Sequence, residues 1–311
     1  MRGRRAAVAI AFVVGFAIAL ATPAFAGPDQ GTLIINAPDK SGLPRNFRST
    51  SDVSKLDGNK KLAAGVEKLQ ASASGQFSAK GFNAVVQRAG GRPVVVLDLR
   101  QESHGFVSGT AVSWFGVRNA ANSGKSGDQI SRDESDLLAG LTGQTTITVK
   151  EVTSKSTDRA IEESKDVQLP VDGVRSEEDL VRATGAAYAR VYAGDYMPFT
   201  TEEVDQLVTF WQNRPADSWL HLHCAAGDGR TTQALALFDM LENAGTVSLK
   251  NIVDRQHRLG GTDLLAVNSK TSWRRDAAIA RATLVRRFYQ YAKEHPRGEG
   301  ETWSSWAARN P

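Results

Sequence analysis

The sequence predicts an α/β sandwich, in which a central sheet is flanked by helices and carries a small inserted β-rich subdomain. Helical and strand patterns alternate around glycines before residue 105, and an apolar strand leads through a glycine-rich loop into a helix near residue 224. Gly, Ser, Asp and Lys dominate residues 106–188. We therefore assign residues 45–105 and 189–311 to the main domain and residues 106–188 to the insert.

The elements before the insert follow from residue spacing. Residues 27–44 are expected to be a flexible leader, although Leu33–Ile35 within them is a short strand candidate. Leu56–Ala71 has helical spacing, and Ser78 caps a second helix that runs to Ala89. Residues 93–100 form a continuous run rich in β-branched residues, which predicts a buried strand.

The remaining elements alternate in the same way. In the insert, residues 145–152 alternate like a half-exposed strand, and one helix is expected at 177–184. Residues 188–192 predict a strand that returns to the main domain. The later segments predict a capped helix over 200–213, a strand over 219–223, and helices over 231–243, 249–258 and 272–294.

Residues 1–26 have the pattern of a secretory signal peptide. Three arginines precede an apolar run over residues 6–21, and Ala24 and Ala26 are small residues at the positions that a signal peptidase reads. The run is shorter than the ~20 residues of a bilayer-spanning helix. We expect an exported protein, periplasmic or secreted, with no stable membrane association after cleavage. An uncleaved N-terminal anchor is the alternative.

The net charge does not favour a nucleic-acid partner. The whole chain has 38 Lys and Arg against 34 Asp and Glu, a formal charge of +4. Three of the arginines lie in residues 1–26, which contain no acidic residue, so residues 27–311 carry only +1. A nearly neutral chain lacks the general positive field that nucleic-acid binding uses.

Cys224 is the only cysteine of the chain, which excludes an intramolecular disulfide and a multi-cysteine metal site. No metal-binding motif was found elsewhere, so neither a metal nor a cofactor is expected. Cys224 opens a loop between an apolar strand and a helix. Such a loop gathers backbone N–H groups and the positive end of a helix around one point, which suits a phosphoryl dianion and favours a nucleophilic thiolate. Arg230, six residues later, can hold two phosphoryl oxygens.

This spacing resembles the C-x-x-x-x-x-R signature of cysteine-dependent phosphatases. A glycine-rich turn with an incidental buried cysteine is the alternative. The Thr231-Thr232 pair, the segment 98–105, the Asn46-Phe47-Arg48 motif and the order of residues 255–261 and 272–289 resemble one family more closely: the bacterial protein-tyrosine-phosphatase-like inositol phosphatases, or cysteine phytases. The resemblance spans residues 45–294. It implies a phosphatase-type α/β domain with a β-rich insert, and removal of phosphates from inositol hexakisphosphate and lower inositol polyphosphates through a cysteinyl-phosphate intermediate.

Asp195 is the candidate general acid. It precedes a helix, and it occupies the position of the family's acid loop, although Tyr196 replaces the usual histidine. The alternative is that Asp195 only makes a turn. Thr231 is expected to hydrogen-bond the thiolate, or else to be merely an early helix residue. His223 is expected to orient the loop or to be a buried structural histidine.

The resemblance also implies a substrate shell around these catalytic residues. A polyphosphate pocket needs cations beyond the reacting group. Asp228 is discordant, because it places a negative charge in the loop. Arg100 and Glu102 could form an internal ion pair. The expected substrate-binding residues are His223, Ala225, Ala226, Gly227, Asp228, Gly229, Arg48, Tyr196, His104, Lys270 and Arg274.

Other functions stay open on the sequence alone. A protein-tyrosine or phosphoinositide phosphatase would share Cys224, Arg230 and Asp195, so these residues do not discriminate between substrates. A phosphate-binding pseudoenzyme would not need the nucleophile. A rhodanese-type sulfurtransferase would need neither the arginine nor the acid.

Overall fold

The computed structural model describes residues 31–311, so the predicted signal peptide of residues 1–26 lies outside the described residues. The strands are β1 (Thr32–Ala37), β2 (Arg48–Ser49), β3 (Ala71–Ser74), β4 (Val94–Asp98), β5 (His104–Val107), β6 (Thr110–Phe115), β7 (Thr146–Lys155), β8 (Ile161–Pro170), β9 (Val174–Arg175), β10 (Ala187–Arg190) and β11 (Trp219–His223). The helices are α1 (Lys60–Ala63), α2 (Ala79–Arg88), α3 (Gly127–Ala139), α4 (Glu177–Arg182), α5 (Thr201–Asn213), α6 (Gly229–Asn243), α7 (Leu249–Arg258), α8 (Ser272–Glu294) and α9 (Trp303–Arg309).

The main sheet has the strand order β10-β4-β11-β3-β2. Its pairs are parallel except for β2 with β3. Strand β11 lies in the middle, between β3 and β4, and all five of its residues are buried. Because Cys224 follows β11 directly, the sheet delivers the cysteine to its carboxyl edge, where ligands bind in open parallel sheets.

Helices cover both faces of the main sheet, which confirms the predicted α/β class. Leu97 of β4 and Leu99 just after it pack into a large core with α5 to α9, whereas Val94 and Val96 of β4 pack with α2 and α4. This alternation is the consequence of the two-residue period of a strand. Helix α6 is buried along nearly its whole circumference and forms the centre of the larger core. In residues 31–311, no helix combines the length and the apolar character that a bilayer span requires.

The second sheet has the order β8-β7-β1-β6-β5-β9 and contains most of the insert. It also contains β1, which corrects the expectation of a flexible leader over residues 27–44 for residues 32–37. Strand β1 pairs antiparallel with β6, and its apolar side chains pack on Val107, Val112 and Val149. Burial of these side chains outweighs the cost of ordering the segment.

Other sequence predictions differ from the structure in specific places. The helix predicted over residues 56–71 is interrupted, because Gly58 and Gly65 adopt left-handed φ angles of 67° and 74° and the segment ends in β3. Two helices were not predicted: α3, which begins with a capping box of Ser126 and Gln129, and α9. The helices α2, α5, α6, α7 and α8 were predicted to within two residues at each end.

A buried ion pair joins α6 and α7 and gives a first testable prediction. Arg255 donates to both carboxylate oxygens of Asp239 and to the carbonyls of Leu62 and Ala64. Arg255→Ala should lower the free energy of unfolding by about 3–5 kcal/mol, because the Asp239 carboxylate would stay buried without its cation.

Arg258→Ala is the matched control, since Arg258 lies on the same helix with a side chain that is 41% exposed and paired with Asp254. Arg258→Ala should lower the free energy of unfolding by only about 0–1 kcal/mol. Urea denaturation measures both variants, and equal losses would contradict a buried, specifically paired Arg255.

Candidate active site

The loop after β11 is held in one conformation by close backbone packing. Gly227 has a φ of 82°, and a Cβ atom there would lie 2.3 Å from the backbone nitrogen of Gly75. Its N–H group points inward and donates to Cys224 Sγ at 3.2 Å. The cysteine is 2% exposed and lies at the base of a cavity. A backbone N–H is thus directed at the sulfur, and α6 begins at Gly229, five residues after the cysteine.

Arg230 is buried next to the cysteine and is fixed by Glu102. Its Nη1 atom donates to Glu102 Oε2 at 2.7 Å, and Nη2 donates to Glu102 Oε1 at 3.0 Å. Nη1 also donates to the carbonyls of Leu99 and Ala193. Nε has no hydrogen-bond partner among residues 31–311, so this donor is available to a ligand in the cavity.

The carboxylate of Asp195 meets the same arginine. Asp195 Oδ1 lies 3.3 Å from Arg230 Nη2 and accepts the N–H of Tyr196 at 3.0 Å. Asn119 Nδ2 donates to Asp195 Oδ2 at 3.2 Å and to Glu102 Oε1 at 2.7 Å. The structure thus brings the predicted nucleophile, arginine and acid together.

The cavity has a volume of about 620 Å³ and is lined by residues of the second sheet and of the segments that follow β10 and β11. Of the residues predicted to bind substrate, those that line it are Ala225, Ala226, Asp228, Gly229, Tyr196 and Arg274. Asp228 is exposed at the cavity, and its Oδ1 atom accepts a hydrogen bond from Asn46 Nδ2 at 3.2 Å. Gly227 is buried within the loop itself.

Arg48 lies behind the loop and not in the cavity, which corrects its expected role as a cavity-lining substrate contact. It is buried, and it donates to the Gly227 carbonyl at 2.8 Å and to Thr232 Oγ1 at 3.1 Å. Burial lowers the pKa of Arg48, although Cys224 and Asp228 act in the opposite direction. Thr231 is also different from expectation: its hydroxyl is buried and has no hydrogen-bond partner in the described part of the chain, so it does not bond the sulfur.

His104 and His223 are likewise buried away from the cavity, which corrects their placement in the substrate shell. His223 Nε2 lies 2.6 Å from Glu177 Oε1. His104 Nε2 lies 3.3 Å from both Asp98 and Glu177. Burial and Arg100 lower the pKa of His104, but Asp98 and its hydrogen bond contribute to a net rise to about 9. The two histidines therefore belong to a buried network with Asp98 and Glu177, outside the cavity.

The cavity also holds cations that the sequence analysis did not select. Lys270 is exposed and does not line the cavity, whereas Arg45, Lys155, Arg159 and Arg281 do. Arg45 lies three residues before the predicted Arg48. Lys155 and Arg159 lie in the β7–β8 hairpin, where a basic residue has the same local pattern as a solvated surface charge, so no sequence signal distinguishes them. Asn119, which holds Asp195, was also missed, because its role depends on a contact with a residue 76 positions away.

Comparison with known proteins agrees with this geometry. The profile of the PTP-like phytase family, described as "Inositol hexakisphosphate", matches residues 97–242. The structure of a PTP-like myo-inositol phosphatase from Mitsuokella multacida in complex with myo-inositol-(1,3,4,5)-tetrakisphosphate is 31% identical, with a TM-score of 0.79, over 91% of this chain and 50% of that one. The structure of a PTP-like phytase from Bdellovibrio bacteriovorus is 29% identical, with a TM-score of 0.71, over 89% and 95% of the two chains.

A curated relative is an effector. Effector protein hopD2 of Pseudomonas syringae pv. tomato is 30% identical over 90% of this chain and 60% of its own length. The chain therefore spans about half the length of the Mitsuokella protein and somewhat more of the effector. These similarities confirm the family resemblance and the phosphatase-type fold expected from the sequence.

The close approach at Gly227 gives a second testable prediction. Gly227→Ala should displace the loop, because the new methyl group would overlap the Gly75 nitrogen in addition to the cost of a left-handed φ, about 1–2 kcal/mol. Gly124→Ala is the matched control, since Gly124 has a φ of 80° and nothing within 4 Å of the added Cβ.

Two quantities are measured for each variant. Calorimetry gives the affinity for inorganic phosphate, which reports displacement of the loop, and the free energy of unfolding reports the loss of stability. We expect phosphate binding to be lost in Gly227→Ala only, with the larger loss of stability in the same variant. Equal behaviour of the two alanine variants would show that the contact with Gly75 does not shape the loop.

Proposed function

The chain belongs to the protein-tyrosine-phosphatase-like phytase family, whose members are cysteine-dependent phosphatases, and from this premise we propose that it hydrolyses phosphomonoesters of inositol through a cysteinyl-phosphate intermediate. The observation that carries the proposal is the convergence of Cys224, Arg230 and Asp195 in one cavity. A binding protein would need the arginine but neither the thiol nor the carboxyl group.

The first step is transfer of the phosphoryl group to sulfur. The thiolate of Cys224 attacks phosphorus, an S–P bond forms, and the P–O bond to the leaving alkoxide breaks. Arg230 Nε and the loop amides stabilise the equatorial oxygens of the transition state. Glu102 keeps the guanidinium in place, so the enzyme does not reorganise this charge during the reaction.

Asp195 supplies the proton that the leaving oxygen needs. In the structure its carboxylate pairs with Arg230. The protonated form of Asp195 gives its proton to this oxygen as the P–O bond breaks, so the leaving group departs as an alcohol and Asp195 becomes a carboxylate.

The second step returns the enzyme to its starting state. Asp195, now a carboxylate, accepts a proton from water as the water oxygen attacks phosphorus. The S–P bond breaks, inorganic phosphate leaves, and the thiolate forms again. Each turn of this cycle consumes one water molecule, and its bonds and protons balance without any cofactor.

The cations of the cavity support an inositol polyphosphate as the substrate. Those that line it are Arg45, Lys155, Arg159, Arg230, Arg274 and Arg281. A phosphotyrosine presents one phosphate, whereas the five cations other than Arg230 are available to further phosphates of the same ligand. The complex of the Mitsuokella relative with an inositol tetrakisphosphate supports the same substrate class.

Phosphate release tests the proposal. With inositol hexakisphosphate, Cys224→Ser should have no activity, and Asp195→Asn should lose about 10²–10⁴-fold in kcat because the leaving alkoxide is not protonated. Asp217→Asn, an exposed carboxylate of the turn before β11, is the matched control and should retain activity.

A parallel assay uses a phosphotyrosine peptide. Activity on the peptide that exceeds activity on inositol hexakisphosphate would replace the substrate assignment with a protein phosphatase. Release of phosphate by Cys224→Ser at the unaltered rate would overturn the cysteinyl-phosphate mechanism.

We also propose that the protein is exported, without stable membrane association after cleavage. The support is the sequence pattern of residues 1–26. When the full chain is expressed in a bacterial host, the mature N-terminus should be Gly27, found outside the cytoplasm and measured by mass spectrometry of fractionated cells. Recovery of an intact chain in the cytoplasm, or in membranes, would contradict this proposal.

A further inference from the structure

Trp273 forms the centre of an aromatic and cationic cluster beside the acid. It is the second residue of α8, and its ring lies edge-on to the ring of Tyr196, with centroids 5.7 Å apart at 90°. The guanidinium of Arg118 lies 4.5 Å from the indole centroid, and that of Arg274 lies 5.2 Å away. Both are within the range of a cation–π interaction.

Two of these neighbours belong to the segments that hold Asp195. Tyr196 donates its backbone N–H to Asp195 Oδ1, and Asn119, next to Arg118 in the chain, donates its side-chain amide to Asp195 Oδ2. Each oxygen of the carboxylate is therefore held by a segment that packs on Trp273.

Both segments have backbone conformations that need support from outside. Tyr196, Arg118 and Asn119 have φ angles of 66°, 58° and 61°. A residue with a side chain adopts this left-handed region at an energetic cost, and it stays there only where the surroundings determine it. Trp273 contacts the side chains of two of the three residues.

The indole does not act through a hydrogen bond or as part of the main core. Its Nε1 atom is buried and has no partner among residues 31–311, and the residue is outside the described hydrophobic clusters. The ring thus contributes through its face and its edge alone.

We propose that Trp273 is a positioning residue for proton transfer: by packing on Tyr196 and Arg118 it sets the carboxyl group of Asp195 at the leaving oxygen. The inference rests on the proposed phosphatase function and deepens it. In this arrangement, Tyr196 at the position after the acid is the residue through which α8 reaches the acid loop.

The role of Trp273 is tested with substrates that differ in their leaving group. A good leaving group departs without a proton, whereas a poor one needs the general acid. With a series of phenyl phosphates from 4-nitrophenyl phosphate to unsubstituted phenyl phosphate, kcat/KM of the unaltered protein should change little. This ratio reports phosphoryl transfer to sulfur and is independent of the later hydrolysis step, which is common to all the substrates. In Trp273→Ala, kcat/KM should fall about tenfold or more for phenyl phosphate, and less than about threefold for 4-nitrophenyl phosphate, because a small displacement of the acid impairs proton transfer to the leaving oxygen.

Trp273→Phe is the conservative variant. It keeps an aromatic ring and loses no hydrogen bond, so it should restore most of the rate with phenyl phosphate. Ile279→Ala, on the same helix with a side chain that is 49% exposed, controls for general effects on α8. Circular dichroism of each variant checks that it is folded.

The outcomes separate this inference from the proposed function. Asp195→Asn should show a steep dependence of kcat/KM on the leaving group; if it does not, the acid assignment fails and this inference fails with it. If Asp195→Asn is steep while Trp273→Ala loses rate equally across the series, or loses none, then only the role of Trp273 is overturned. A steep series in Ile279→Ala would also overturn it, since the effect would not be specific to the indole.

Discussion

A guanidinium with almost no solvent contact is stable only beside a carboxylate, and Arg230 has this environment because of Glu102. Burial alone lowers the pKa of Arg230, but Asp195 and Glu102 outweigh burial and hold it well above the usual value. Both terminal nitrogens point at Glu102, which leaves Nε and part of Nη2 for a ligand. If Glu102 moved, the arginine would lose its direction and Asp195 would lose its partner.

Glu102 can hold Arg230 because its own position is determined by both sheets. Arg100, which follows β4, donates to Glu102 Oε1 at 2.8 Å, and Asn119, which follows β6, donates to the same oxygen. Burial raises the pKa of Glu102, but the two arginines lower it further than burial raises it. Arg230 is thus fixed by a carboxylate at the junction of the sheets, which explains why the second sheet contributes to the site.

The sequence was sufficient where short-range interactions determine the structure. The strand, glycine loop and helix around Cys224 follow from residue types and spacing within about ten positions, and so do the capping box that begins α5 and the ends of α7 and α8. Arg230 could be selected from its spacing to Cys224, and Asp195 from its resemblance to the acid loop of the family. Strand β1 was recognised as a candidate, but its place in the second sheet depends on a partner more than seventy residues away.

The outer residues could not be predicted because their roles depend on packing across the chain. Arg45 and Arg48 lie in one short segment, yet only the pairing of Arg48 in β2 with Ala73 in β3 directs one of them behind the loop. His104 is a residue type that can bind phosphate, but its side chain lies in a buried network with Asp98 and Glu177. Lys155 and Arg159 of the β7–β8 hairpin line the cavity together with Cys224 only because of the tertiary fold.

Charge in this molecule is therefore significant by its location and not by its sum. Residues 27–311 carry a net charge of +1, while the cavity is lined by six Lys or Arg side chains and three Asp side chains. At physiological ionic strength, exposed charges act over about 8 Å. A polyanion would thus meet a nearly neutral surface over most of the protein and an attractive field near the cavity. Two of the cations, Lys155 and Arg159, come from the insert, whereas Cys224, Arg230 and Asp195 come from the main domain. Part of the attraction for a polyanion therefore comes from outside the main domain, so substitutions of Lys155 and Arg159 can change anion binding while Cys224, Arg230 and Asp195 stay in place.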